Sequence, residues 1–468
     1  MFARTNAGGL MTRSRALGPI ISFALIAGCG ASTVAASDGD AAPIALDASP
    51  SEVATVDVVV VDAAIVDEAA PDAGAVDAER DSAVDVRVCP MPVDEDVPAA
   101  DVPATDGPYV VELAVGSQLN RCARMSDGTL RCRGWNHDGQ LGVGTWDLGG
   151  SGPGRTTAVV VPGLNDVEQV VTTNVGAVCT RHRDGTVRCW GSNQYNMLGT
   201  GHAGDVTCAS GRPCRPSPTL VPGLTDVVFL AVSGFAICAV GGDGAVRCWG
   251  SVDPLLPRGG SATPVLATAV SDVARLYSLN YGWVVQLRSG TYATYQIADP
   301  AAAALDIPSA AQVVYSNHTF SSHLCYRLPD GTARCLGENW FGKVGNGRSD
   351  PQSMFVSVPA DPGLCGVRSV VAGTYNSCAL MADRTVQCWG EGEYGALGFD
   401  PPDLCGGLDG DEAAPCATRP GAVRGLDGVD QLFVGVWGGC ALRVDRSVWC
   451  WGSLSPDLAS GTLGPVEW

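Results

Sequence analysis

From residue 109 onward the chain alternates short apolar runs with polar punctuation, and the same order returns about every fifty residues. An Asp-Val or similar pair opens each unit and leads into an apolar run, such as Val167-Glu-Gln-Val170-Val171 or Val367-Arg-Ser-Val370-Val371. The run ends in small residues, such as Ser233-Gly234 or Ala372-Gly373. A polar hairpin signal follows, then a loop of variable length, then a short stretch such as Pro218-Thr-Leu-Val221. Four short strands per unit, separated by turns, predict a propeller blade. Small residues at the end of the first strand suit inner strands that converge on one axis.

Six of the hairpins carry cysteines ten residues apart: Cys122/Cys132, Cys179/Cys189, Cys238/Cys248, Cys325/Cys335, Cys378/Cys388 and Cys440/Cys450. Cys179 and Cys189 face each other only if the pairing is centred on Asp184. That requires a three-residue loop, Arg183-Asp184-Gly185, with Gly185 in the left-handed region. Opposed cysteines of an antiparallel pair lie within disulfide reach. A four-cysteine zinc site needs partners two to four residues apart, which a step of ten does not supply. The same spacing recurs without sulfur at Val284 and Thr294. This adds a degenerate blade, residues 269–308, fourth of seven. The predicted fold is therefore all-β, a seven-bladed propeller of four-stranded blades over 108–468.

Cys378-Ala-Leu-Met-Ala-Asp-Arg-Thr-Val-Gln-Cys-Trp389-Gly390, followed by Tyr394-Gly395-Ala-Leu397-Gly398, resembles the repeat of the regulator of chromosome condensation 1 family. That repeat has an ALxxDGxVxxWG strand pair and then GQLG. Blade one carries the loop as Gly134-Trp-Asn136-His137-Asp-Gly139-Gln140-Leu141-Gly142. Blade two has Trp190-Gly191-Ser-Asn193 and ends in Leu198-Gly199; blade five has Gly337-Glu-Asn339, then Gly342-Lys-Val344-Gly345. Blades three, four and seven lack this loop, and blade one has Arg133-Gly134 where the repeat has Trp-Gly. The resemblance implies a seven-bladed ring that binds a protein on one face. After blade seven only Gly464-Pro465-Val466-Glu467-Trp468 remains, resembling a last strand, so Tyr109–Val115 is expected to supply an inner strand at the seam.

The formal net charge of -20 belongs mostly to residues 30–108, which hold 18 acidic residues against Arg80 and Arg87. An acid recurs every five residues at Asp47, Glu52, Asp57, Asp62, Asp67, Asp72 and Asp77, a period of neither helix nor strand. With no aromatic between Cys29 and Tyr109, residues 29–107 read as a disordered acidic tether rich in Ala, Asp, Val and Pro. Calcium binding by this ladder would need glycine-bearing loops that it lacks. Arg13 and Arg15 precede an apolar run, Ala16–Ala27, too short to span a bilayer, and Met11 is an alternative start. The end of that run, Leu25-Ile26-Ala27-Gly28-Cys29, resembles a bacterial lipobox. It implies a signal peptide over 1–28 and a lipid on Cys29. Nineteen cysteines in regular pairs agree with an oxidising compartment, so the chain is expected in a bacterial cell envelope, at the outer membrane or cell surface.

The remaining cysteines pair as Cys208–Cys214 and Cys405–Cys416, stapling the long loops of blades two and six, and Cys89 and Cys365 are left for each other. No Gly-x-Ser-x-Gly, HExxH or phosphate loop is present, and His137, His182, His202, His318 and His323 share no metal-ligand spacing. No catalytic residue, metal or cofactor is expected. The folded part has no basic field for nucleic acid. Aromatics near the loop turns, Trp146, Tyr195, Trp340, Phe341, Tyr394 and Phe399, are candidate binding anchors. The expected function is an envelope-anchored, non-enzymatic, monomeric module that binds a protein or surface glycan through its loop face. An inhibitor of a secreted enzyme would present a similar face. A polysaccharide hydrolase or lyase would instead need converging acids in a pocket.

Overall fold

The computed structural model describes residues 107–468 apart from 117–119, 148–153, 203–204, 252, 280–281, 297–302, 306, 309–311, 314–322, 350–355, 407–412 and 454–462. Cys29, Cys89, His318 and the signal-and-tether region up to residue 106 lie outside the described residues. Seven antiparallel sheets follow one another in chain order. Blade two has the full set: Val167–Thr172, Ala177–His182, Val187–Ser192 and Pro213–Leu220, each strand pairing with the one before it. Blade four, Val273–Leu279, Gly282–Leu287, Tyr292–Gln296 and Ala303–Leu305, keeps this order, and Val284 stands directly opposite Thr294.

Apolar residues at alternate positions meet between blades, so the core is a ring of seven clusters. One joins blades one and two around Leu130, Leu141, Val170 and Trp190; another joins blades four and five around Tyr277, Tyr292, Leu324 and Tyr326. The last joins blades seven and one, where Leu442 and Val448 pack with Val110, Leu113 and Met125. Val110–Val115 is the inner strand of blade one and Gly464–Val466 the outer strand of blade seven, so the described strands do not cross the seam. Arg131 and Arg133 close it by donating to the carbonyl oxygens of Trp468 and Glu467 at 2.8 and 3.0 Å.

The hairpins have the derived register. Cys179 opposes Cys189 with Cα atoms 4.2 Å apart, and His182 N–H donates to the Thr186 carbonyl across a three-residue loop. The same opposition and bridge occur in five other blades, as Cys122–Cys132, Cys238–Cys248, Cys325–Cys335, Cys378–Cys388 and Cys440–Cys450. All twelve of these cysteines are fully buried. Each bridge sits in the apolar cluster between its own blade and the next: Cys122 and Cys132 with Leu141 and Trp190, Cys238 and Cys248 with Trp283, Cys325 and Cys335 with Trp389. Cys378 and Cys388 pack with Trp451, and Cys440 and Cys450 with Leu113 across the seam. These pairs are therefore framework residues, and none of them lines a binding surface.

Asp184 Oδ1 accepts from Thr186 N–H at 2.9 Å and from Thr186 Oγ1 at 2.7 Å, which fixes the turn. Gly185 has φ +75°, as the register requires, but blades six and seven place Arg384 and Arg446 in the same left-handed conformation at φ 64° and 70°. The aspartate clamp, not the glycine, is therefore what these turns share: Asp383 and Asp445 make the same pair of bonds to Thr385 and Ser447.

Candidate functional site: the loop face

Strand alternation sorts the connections onto two faces. The turns between second and third strands share one face with the links between blades: Val227 N–H donates to the Gly185 carbonyl. The turns between first and second strands share the other with the long loops, as Ser192 N–H donates to the Gly176 carbonyl. This second face is the loop face. Cys208–Cys214 and Cys405–Cys416 brace its two long loops, and each loop adds a fifth strand to its blade, Val206–Thr207 and Asp403–Cys405. Val206 and Leu404 on these strands are exposed, Leu404 by 73%.

A latch ties each loop to the next blade. Asn136, Asn193 and Asn339 accept, through Oδ1, the N–H of Leu141, Leu198 and Val344, curling the loop into a tight turn. The turned-in carbonyls of Gln140, Met197, Lys343 and Ala396 accept from the indoles of Trp190, Trp249, Trp389 and Trp451 in the following blade, at 2.7–3.0 Å. Blade three lacks the loop, and there the Asp253 carboxylate takes the indole instead, at 2.9 Å from both oxygens. That indole belongs to Trp283, on the second strand, because Tyr295 holds the usual tryptophan position opposite it. Burial pushes Asp253 up to about 6, opposed by its bond to Trp283.

The latch loops point aromatics outward. Tyr195, Phe341 and Tyr394 occupy one position of the turn with φ 64°, 57° and 57°. Each meets an aromatic from the first turn of the following blade: Tyr195 with Phe235 at 4.6 Å, Phe341 with Tyr375 at 6.4 Å, Tyr394 with Trp437 at 5.9 Å. Tyr195, Tyr394 and Trp437 are exposed by 39, 51 and 37%. The partners Phe235, Tyr375 and Trp437 were not anticipated from sequence, since nothing local marks a turn residue that meets the neighbouring blade. Phe399 departs from the expected role: its ring packs against the core between blades six and seven, over Gly421. Trp146 is half-buried, and Trp340 lies beneath the Lys343 ammonium at 5.6 Å.

Between blades five and six this face holds buried charge. Lys343 is 1% exposed, with its ammonium 3.5 Å from Glu338; burial pulls it down to about 8 and Glu338 pulls the other way. Burial, then the Glu393 charge, pushes Glu391 up to about 7, against Lys343. Burial and then Lys343 hold His323 well below its usual value, and its Nε2 lies 2.7 Å from Ser377 Oγ. The other described histidines serve local structure: His182 bridges Asp166 and Thr180 at 2.6 and 3.0 Å, His137 stacks on Trp135, and His202 lies 3.5 Å from Asp205. Among the described residues no group of three or more His, Cys, Asp or Glu is arranged to hold a metal.

Fold and latch together define the class: an all-β, seven-bladed propeller whose blades are stapled by disulfides and locked by indole-to-loop bonds. The model of the regulator of chromosome condensation (RCC1) repeat matches residues 367–396, in blade six. The structure is similar to that of Prp20p from Saccharomyces cerevisiae, with a TM-score of 0.57 and 14% identity over 77% of this chain and 87% of that one. It is also similar to human WBSCR16, with a TM-score of 0.53 and 16% identity over 70% of this chain and 85% of that one. The E3 ubiquitin-protein ligase HERC2 of Homo sapiens is 23% identical over 376 residues, 75% of this chain but 6% of that protein's length.

Proposed function

We propose that the chain is an envelope-anchored, non-enzymatic binding module whose loop face takes a protein or surface glycan. One observation carries this reading: both stapled loops and all three cross-blade aromatic pairs emerge on the same face. Aromatic anchors on braced loops lose little conformational freedom on binding. The yeast relative Prp20p is described by its binding to Gsp1p and histones, and in another structure by its complex with Kap60, which supports a protein partner.

The anchor in this reading is a lipid on Cys29, with 29–107 as its spacer, in a bacterial envelope. Tyr109 exchanges backbone and side-chain bonds with Ser126, in a hairpin turn, so the chain enters the propeller on the face opposite the loops.

The test is cross-linked pull-down from intact cells with the propeller as bait, beside a double variant, Tyr394→Ala with Trp437→Ala. A specific protein captured by the parent and lost by at least tenfold with the variant is the expected result. Equal capture by both would move the site off this face, and specific glycan binding without a captured protein would reject the protein partner.

A further inference from the structure

In four blades the interblade latch ends in an indole, a neutral donor matched to a neutral carbonyl. Blade one breaks the pattern. Arg133 stands in the tryptophan position, and directly opposite it, on the neighbouring strand, stands Arg121. The equivalent pairs elsewhere carry no charge: Val178/Trp190, Ile237/Trp249, Leu324/Leu336, Ser377/Trp389 and Gly439/Trp451. Opposed residues of an antiparallel pair share a face, so both arginines point toward blade seven.

Arg133 has partners: Nη1 donates to the Glu467 carbonyl, and the guanidinium lies over the Trp468 ring at 5.9 Å. Arg121 has none among the described residues. It is 1% exposed, and all three guanidinium nitrogens are buried without an acceptor. An arginine does not shed its proton to escape burial. A buried guanidinium without a counter-charge is strongly unfavourable. The neighbours make this worse, because burial and Arg133 both bear against the charged form of Arg121.

We propose that the seam between blades seven and one is an oxyanion site, in which Arg121 takes a carboxylate or phosphate group in a forked, charge-assisted pair and Arg133 flanks it. Planar fork donors match both groups. A groove at the outer edge of the seam, lined by Arg131, Arg133, Thr156, Pro465, Glu467 and Trp468, reaches the flanking Arg133. The bound anion completes the closure of the ring, at an interface where arginines replace the indole latch.

Thermal unfolding of the full chain in chloride, with inorganic phosphate or acetate added at constant ionic strength, tests this. The parent is expected to gain a saturable rise in melting midpoint with at least one oxyanion, and Arg121→Met to lose it. Which anion acts separates phosphate from carboxylate ligands. Calorimetric titration of the parent gives the same answer without any variant, and Arg133→Gln is expected to shift the saturation to higher concentration. No saturable rise in the parent, or an equal rise in Arg121→Met, overturns the proposal.

Discussion

Glu391 and Lys343 have the largest consequences at the scale of single residues. The folded state holds the Glu391 proton up to about pH 7, while a free glutamate loses it near 4.5. A raised carboxyl favours folding when protonated, so its contribution is complete below about pH 4.5 and lost as pH rises through 7. Lys343 acts in a different window: lowered to about 8, it weakens folding below that pH and recovers toward 10.5. Denaturant titrations of Glu391→Gln should therefore lose the fall in stability that the parent shows between about pH 5 and 7. A parent-like slope in the variant would assign that window to other groups. Neither burial was legible in the sequence. Lys343 occupies the loop position held by Gln140 in blade one, a polar site by pattern, and only the close approach of blade six encloses it.

The hairpin is the element whose logic was most readable, because register depends on chain spacing and strand geometry, both local. Cysteines ten apart had to oppose each other around a three-residue turn, and they do, with Cα atoms 4.0–4.2 Å apart in all six. Blade four holds the same pairing with Val284 and Thr294, so sulfur is not needed to form the hairpin. Copying it into blade two, as Cys179→Val with Cys189→Thr, should cost about 2–3 kcal/mol, the loop-closure contribution, and leave the fold intact by circular dichroism. Loss of folding would make the bridge essential there. Gly185→Ala should cost about 1–3 kcal/mol, since its φ is positive and a Cβ would lie 2.8 Å from the Asp226 backbone. Trp283 is the converse case. A pattern that assigns the latch tryptophan to the third strand misses it, because its indole reaches the same acceptor region from the second strand.

At the scale of the whole molecule, no described strand is exchanged across the seam, which is held by one apolar cluster, by the Arg446 guanidinium over the Tyr109 ring and by the arginine contacts to the Trp468 and Glu467 carbonyls. Cys365 adds a covalent feature near blade six. It is disulfide-bonded, and it lies in the link 361–366 that leads into Val367–Ala372, on the face where the chain enters. With eight bridges placed among the described residues, only Cys29 and Cys89 remain to pair with it. We expect non-reducing peptide mapping to recover Cys89 linked to Cys365; recovery of either as a free thiol would refute that pairing. The sequence by itself determined the blade count, the hairpin register and the stapled loops, because each depends on spacing along one short stretch of chain. Tertiary structure decided the aromatic pairs, the buried Lys343 and the unpaired Arg121, because each is made where two blades meet. Those residues lie far apart along the chain, and the environment that gives them their chemistry exists only once the ring has closed.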